Sequence, residues 1–263
     1  MRFTKMHGLG NDYLYFFSEV PDDVAELTKK LSDRHFGVGS DGTVFITGSE
    51  VADFGMRIFN ADGSEAMMCG NGIRCVGKYV YDKGHTQKTE ITVETRSGVK
   101  TLTLFPENGR VKSVRVGMGK ATAEEEKCIT VGTERVSFIP VDVGNPHAVI
   151  FVADAESAPV YTLGERVCNN SFFEDGVNVE FVSLIGENRI RMRVYERGSG
   201  VTLACGTGAV ASAVAAARVG KCSADSPITV VLDGGELVIE LCGDGSAFMT
   251  GSAETVCDCE IKL

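Results

Sequence analysis

Positive charge is the first shortage in this 263-residue sequence: 26 Lys and Arg stand against 36 Asp and Glu, a formal net charge of −10. That balance argues against a broad basic patch for nucleic acid or an acidic membrane surface, yet it leaves room for a small, locally positive pocket. Long apolar runs are missing as well. Stretches such as Ala209 to Ala217 fall short of the roughly 20 residues that span a bilayer. The opening Met1-Arg2-Phe3-Thr4-Lys5 lacks the apolar core of a signal peptide, so the expectation is a cytoplasmic protein with no membrane partner. Paired CxxC spacing, the mark of structural zinc sites, is also absent. Of nine cysteines, Cys69 and Cys75 are six apart, and Cys257 and Cys259 flank one residue. An odd count in a large chain reads as reduced thiols, mostly small buried hydrophobes, with no metal expected.

What is present is a pattern that repeats. Strands are predicted at Phe3–Met6, Tyr13–Phe17, Thr43–Thr47 and Met56–Asn60, with a helix over Asp22–Leu31 placing Val24, Leu27 and Leu31 on one face. After the turn Ala61-Asp62-Gly63-Ser64 comes a helix over Gly72–Lys83, then strands at Glu90–Glu94 and Lys100–Phe105. The second half predicts strands at Phe138–Val143, Ala148–Val152, Asn178–Val182 and Ile190–Tyr195. A helix over Thr207–Val219 and strands at Ile228–Leu232 and Glu236–Leu241 complete it.

The halves also align residue by residue. Asn60-Ala-Asp-Gly-Ser-Glu-Ala-Met-Met-Cys69-Gly-Asn-Gly matches Glu196-Arg-Gly-Ser-Gly-Val-Thr-Leu-Ala-Cys205-Gly-Thr-Gly, with the cysteines 136 residues apart. An internal duplication is the natural inference. Cys-Gly-x-Gly at a helix start puts a thiol beside unpaired N–H groups and the positive end of the helix dipole, an environment suited to a thiolate or a bound carboxylate. One such site is a base or nucleophile. Two, acting on opposite faces of one carbon, invert a stereocentre: one thiolate takes the α-proton and the other thiol returns one. Read singly, each cysteine is better explained as a buried helix starter; the aligned pair favours chemistry. No GxxxxGK[ST] pattern appears and no lysine lies beside either motif until Lys78, which favours a route without cofactor.

Carried by these residues, the chain resembles the diaminopimelate epimerase family nearly end to end. The resemblance includes Lys5-Met6-His7-Gly8-Leu9-Gly10-Asn11-Asp12, Arg34-His35, Gly144-Asn145-Pro146-His147, Gly176-Val177-Asn178-Val179 and Glu196-Arg197-Gly198, besides both cysteine motifs. It implies a mixed α/β fold of two pseudo-symmetric domains, each a mixed or antiparallel β-barrel wrapped on a central helix. The expected boundaries are 1–113, with 252–263 returning to that half, and 114–251. It also implies epimerisation of LL- to meso-2,6-diaminopimelate for lysine and peptidoglycan synthesis, no cofactor, and a homodimer.

By the same resemblance Cys69 and Cys205 are the acid–base pair, and His147 and Glu196 tune the thiols. Gly70, Asn71, Gly206 and Thr207 offer backbone N–H groups, while Asn11, Asn60, Asn145, Asn178, Glu196 and Arg197 hold the amino-carboxylate groups. Each asparagine is open to reading as a turn former, and so are Asp12, Asp41 and Asp62. His7 and His35 are assigned to hydrogen bonding in the fold, and His85 to a solvated loop. Two departures stand out: Gly42, where relatives often carry Gln, and Val201, where they often carry Glu.

Three rivals remain. A proline or hydroxyproline racemase shares the two-cysteine logic, but its substrates give no use to the polar set Asn60, Asn145, Asn178 and Arg197. A phenazine-type isomerase has no cysteine pair. A redox or metal-binding module predicts zinc or a working disulfide, and a Cys69–Cys205 bridge that switches activity off is a weaker form of it.

Overall fold

The computed structural model describes residues 1–262. Along the chain run β1 (Arg2–Gly8), β2 (Asn11–Phe17), α1 (Val24–Ser32), β3 (Gly42–Thr47), β4 (Phe54–Asn60), β5 (Glu65–Ala66), α2 (Gly70–Asp82), β6 (Glu90–Thr95), β7 (Gly98–Glu107) and β8 (Arg110–Lys120). Next come β9 (Thr122–Ala123), β10 (Lys127–Val131), β11 (Glu134–Asp142), β12 (Pro146–Phe151), a π-helical turn (Val160–Gly164), α3 (Glu165–Cys168), β13 (Asn178–Gly186), β14 (Arg189–Glu196) and β15 (Gly200–Thr202). The last elements are α4 (Gly206–Arg218), β16 (Ile228–Leu232), β17 (Gly235–Leu241), β18 (Ser246–Ser252) and β19 (Glu254–Glu260). Two compact units divide them: Met1–Val116 with Gly251–Leu263, and Gly117–Thr250.

In the first unit β1 and β2 form a hairpin whose turn residues, Leu9 and Gly10, both have positive φ, 57° and 86°. Positive φ at both central positions matches the right-handed twist of the strands, and a leucine there is an uncommon, strained choice. From β2 the sheet runs parallel to β3, antiparallel to β4, parallel to β6 and antiparallel to β7, which pairs with β8. On its other side β1 pairs antiparallel with β19. Helix α2 lies against β1, β2 and β7 and is buried from Gly70 through Lys78. It is therefore a core helix rather than a surface one. Its two buried cations are engaged: Lys78 Nζ donates to Asp82 (2.8 Å) and Val111 O (2.7 Å), and Arg74 donates to Ser252 O, Gly70 O and Asn71 Oδ1. Outside the sheet, α1 presses Leu27 and Leu31 onto Phe3, Leu14, Phe16, Phe45 and Phe59.

The second unit follows the same succession. β11 pairs antiparallel with β12, β12 parallel with β13, β13 antiparallel with β14, β14 parallel with β16, and β16 antiparallel with β17. Each step has its counterpart between β1 and β7, so the repeat seen at the cysteines extends to the sheet order. α4 is the central helix here, touching β9, β11, β12, β13, β14, β16 and β17. Its alanines 209, 211, 213, 215 and 216 are fully buried, and their small size lets the strands close around it. Along β13 the residues alternate. Val179 and Phe181 join the apolar cluster with Val160, Val167 and Cys168 from the π-helical turn and α3, leaving Asn178 and Glu180 on the other face.

Candidate active site

Both cysteines sit one residue before a central helix and cap it in the same way. Cys69 is extended (φ −135°, ψ 119°) and its Sγ accepts from Gly72 N at 3.3 Å. Cys205 repeats this (φ −120°, ψ 113°), accepting from Gly208 N at 3.3 Å. The thiol thus stands where Ser or Asp usually caps, satisfying one of the four orphan N–H groups and sitting on the positive end of the helix.

Around Cys69 the first unit builds a polar cradle. The thiol donates to Asn11 Oδ1 at 3.2 Å, and Asn11 Nδ2 donates to Asp41 Oδ2 at 2.7 Å. The second bond fixes which way the amide faces, so the oxygen must point at the thiol. Asp41 also accepts from Asp12 N (3.0 Å) and Arg34 (2.8 Å); Arg34 and Lys5 pair with Asp12 at 3.0 and 2.8 Å. Burial raises the Asp12 carboxyl, but hydrogen bonds from Lys5 and Arg34 outweigh it and hold the group below its ordinary value. Tyr13 stays neutral, its hydroxyl pushed well up by burial and by nearby Cys69. Asp12 and Asp41, open to reading as turn formers, are the organising charges of this cradle. Asp62 does act in a turn, accepting from Ser64 N at 2.8 Å.

The remaining residues of this half are less uniform. Gly70 and Asn71 lie in the first turn of α2, but the Asn71 side chain is buried and accepts from Arg74. Asn60 closes its own turn, donating to Ser64 Oγ at 3.1 Å. His7 Nδ1 accepts from Gly10 N at 3.3 Å, while His35 is exposed. His85 is not simply solvated: it stacks on Phe17 at 3.8 Å, and burial lowers its pKa. Gly42 is a backbone requirement rather than a missing side chain. With φ 155°, a Cβ there would lie 1.9 Å from Phe59 O.

In the second unit Cys205 is only 5% exposed. Burial first, then the carboxylates of Glu196 and Glu180, push its thiol well above the ordinary value. Thr207 Oγ1 lies 3.5 Å from Sγ. Glu196 is raised by burial and accepts from Thr202 Oγ1. His147 Nδ1 meets Glu180 Oε1 at 2.7 Å, and its Nε2 meets Asn145 Oδ1 at 3.1 Å. Asn178 pairs with His147 across β12 and β13, and its Oδ1 accepts from Arg197 N at 2.8 Å. The Arg197 side chain is exposed and donates to Asp175 O at 3.0 Å. Cys205, His147, Glu196, Asn145, Asn178, Gly206 and Thr207 are therefore gathered around the head of α4. Glu180 is the member the sequence reading missed; its signal was a lone carboxylate inside the apolar run Val177–Val182.

Among the described residues no group of three or more His, Cys, Asp or Glu is placed to hold a metal, and no helix is long and apolar enough to cross a membrane. A surface cavity of about 460 Å³ lined by Val20, Thr47, Met56 and Arg57 contains none of the site residues named above.

A profile described as diaminopimelate epimerase matches residues 3–124 and 139–256. The chain is 46% identical over 280 residues to a diaminopimelate epimerase of Acetivibrio thermocellus, covering 100% of this chain and 99% of that one. It is 48% identical over 266 residues to that of Bacteroides thetaiotaomicron (100% and 98% covered). Among solved structures it is similar to a probable proline racemase from Agrobacterium radiobacter (TM-score 0.75, 19% identity, 100% and 93% covered). It is also similar to a phenazine biosynthesis protein from Bacillus anthracis (TM-score 0.74, 18% identity, 100% and 99% covered). At such identities the structural likeness speaks for the fold alone.

Proposed function

The chain belongs to the diaminopimelate epimerase family, and from that premise we propose that it interconverts LL- and meso-2,6-diaminopimelate with Cys69 and Cys205 as its two bases. The observation that carries the reading is the matched pair of thiol-capped central helices. One thiolate removes the α-proton, and the other thiol delivers a proton to the opposite face of the same carbon. Charge that builds on the α-carboxylate is stabilised by the first-turn N–H groups, those of Gly70 and Asn71 in one half and Gly206 and Thr207 in the other. Asn11, Asn60, Asn145, Asn178 and Arg197 hold the amino-carboxylate groups, Arg197 by forking onto a carboxylate, and Glu196 receives an ammonium. His147 and Glu196 tune the thiols. No cofactor enters this scheme. The product serves lysine and peptidoglycan synthesis in the cytoplasm, and the working form is a homodimer, checked by light scattering at assay concentration.

Incubation of reduced protein with LL-diaminopimelate in D2O, without pyridoxal phosphate, tests the chemistry. α-Deuterium in the product, with epimerisation lost in both Cys69→Ala and Cys205→Ala, is expected. Turnover of proline in its place would move the protein to the racemases. No exchange with either from folded, reduced protein would sink the two-base reading.

A further inference from the structure

Glu180 lies near the start of β13, wholly buried, with its Oε1 2.7 Å from Nδ1 of an equally buried His147. Its second oxygen, Oε2, is buried without a hydrogen-bond partner. Buried carboxylates ordinarily have every lone pair occupied, so this arrangement is costly and calls for a reason. Two further contacts locate the charge. Oε1 stands 2.8 Å from where a Cβ on Gly208 would be, directly under the first turn of α4 and the Cys205 cap. On the other side, both His147 nitrogens face acceptors, Glu180 Oε1 and Asn145 Oδ1. A carboxylate only accepts, so the ring nitrogen facing Glu180 is the donor, and that bond fixes the orientation of the imidazole. The titratable groups facing Glu180 are His147 from β12, Glu196 from β14 and Cys205 at the head of α4.

Resting on the two-thiol reading above, we propose that Glu180 is a positioning residue that locks His147 in its donor state and holds Cys205 as the protonated acid at rest. Its carboxylate, with Oε2 left without a hydrogen-bond partner, opposes the helix end, which on its own favours a thiolate. Binding of a cationic ammonium near this group relieves that opposition and releases the thiol for the return reaction. The test is the pH dependence of Cys205 alkylation, followed by mass mapping of its peptide, beside kcat/KM profiles. Glu180→Gln keeps the hydrogen bond to His147 and removes the charge, so the alkylation midpoint should fall by roughly one pH unit. His147→Gln leaves the carboxylate uncompensated and should move the midpoint the other way. A merely structural role shifts neither midpoint, or shifts both alike, and either result in folded variants overturns the proposal. The readout needs no diaminopimelate turnover, so it fails independently of the substrate assignment.

A separate observation concerns β19. Cys257 and Cys259 share one face of this exposed strand, opposite Lys5 and Phe3, with their sulfurs 3.4 Å apart. Cys257 is exposed and so the first that a reagent meets, while Cys259 is half-buried and its thiol is pushed up by its hydrogen bond with Cys257. The geometry points to a dithiol that a low-molecular-weight disulfide oxidises to an intramolecular bridge. The Cys257 thiolate attacks one reagent sulfur, the reagent S–S bond breaks and one thiolate leaves. Cys259, losing its proton, then attacks the Cys257 sulfur and expels the second thiolate; two protein thiols are oxidised and one disulfide becomes two thiols. Strand rise places such Cα atoms roughly 6.6 Å apart, at the wide end of disulfide geometry, so the bridge is strained and readily reduced. Titration with oxidised glutathione should remove two hydrogens from the peptide carrying both residues, reversibly with dithiothreitol, and should leave a stable glutathione adduct on Cys257 in Cys259→Ser. A lasting adduct in the unmodified chain, or a bridge to another cysteine or another molecule, overturns it.

Discussion

The heads of α2 and α4 share one backbone geometry and differ in what surrounds the sulfur. Cys69 is half-buried and donates to an amide held by Asp41, whereas Cys205 is buried between two carboxylates. Duplication explains the common cap; the difference comes from strand residues that the repeat did not preserve. In the first unit Asp41 orients the Asn11 amide against the Cys69 thiol, and in the second the carboxylates of Glu196 and Glu180 add to burial in raising the Cys205 thiol. Two matching caps thus hold their sulfurs in unlike electrostatic surroundings.

The comparison can be broken most severely at the sulfurs. Cys69→Ala and Cys205→Ala should each lower epimerisation by roughly a thousandfold in a chiral product assay. Next comes the glycine three residues into each motif, where the halves should part company. Gly208→Ala would press on Glu180 Oε1 and, at 3.3 Å, on Cys205 Sγ, and should cost about 1–2 kcal/mol in a denaturant titration. Gly72→Ala meets the flexible Met56 Cε at 3.3 Å and makes ordinary contacts with Cys69 Cβ and Ile58 Cδ1 at 3.5 and 3.6 Å, and helix propensity should make it neutral or slightly stabilising. Asp41→Asn releases the Asn11 amide and should reduce kcat/KM roughly tenfold, with little change in unfolding midpoint. Alkylation with rising pH should modify Cys69 before Cys205, whose thiol is held up by burial and its carboxylate neighbours. The smallest effect is acid lability of the Cys69 cradle. Asp12 is depressed in the folded state, so its contribution is present above its unfolded value of about 4 and is lost as pH falls through the folded one. A shallow loss of thermal midpoint below pH 4 that Asp12→Asn abolishes is the expected signature.

The two central helices were legible to within two residues, at Gly70–Asp82 against 72–83 and Gly206–Arg218 against 207–219, because glycine openings and apolar periodicity mark both. β8 was not foreseen, although Val114, Val116 and Met118 alternate inward along it, since charged residues at Lys112 and Arg115 mask the run. β19 was invisible for a different reason. Nearly all its residues are exposed, and its identity as a strand comes from pairing with β1, some 250 positions away. In the site, the cysteines and their glycines announced themselves through repetition. Asp41 was hidden among glycines that read as a turn, and Glu180 inside a strand, because its meaning depends on His147 from another strand.

The pairing of β19 with β1 also orders the chain in time. The second unit is one continuous segment, so all its strands are available once residue 250 has been synthesised. The first unit begins earlier but holds an open seam along β1 until Glu254–Glu260 have been synthesised and released from the ribosome. The half that is translated first is therefore the one completed last, and a nascent chain stalled near residue 250 would present the bare edge of β1 to any passing strand or chaperone.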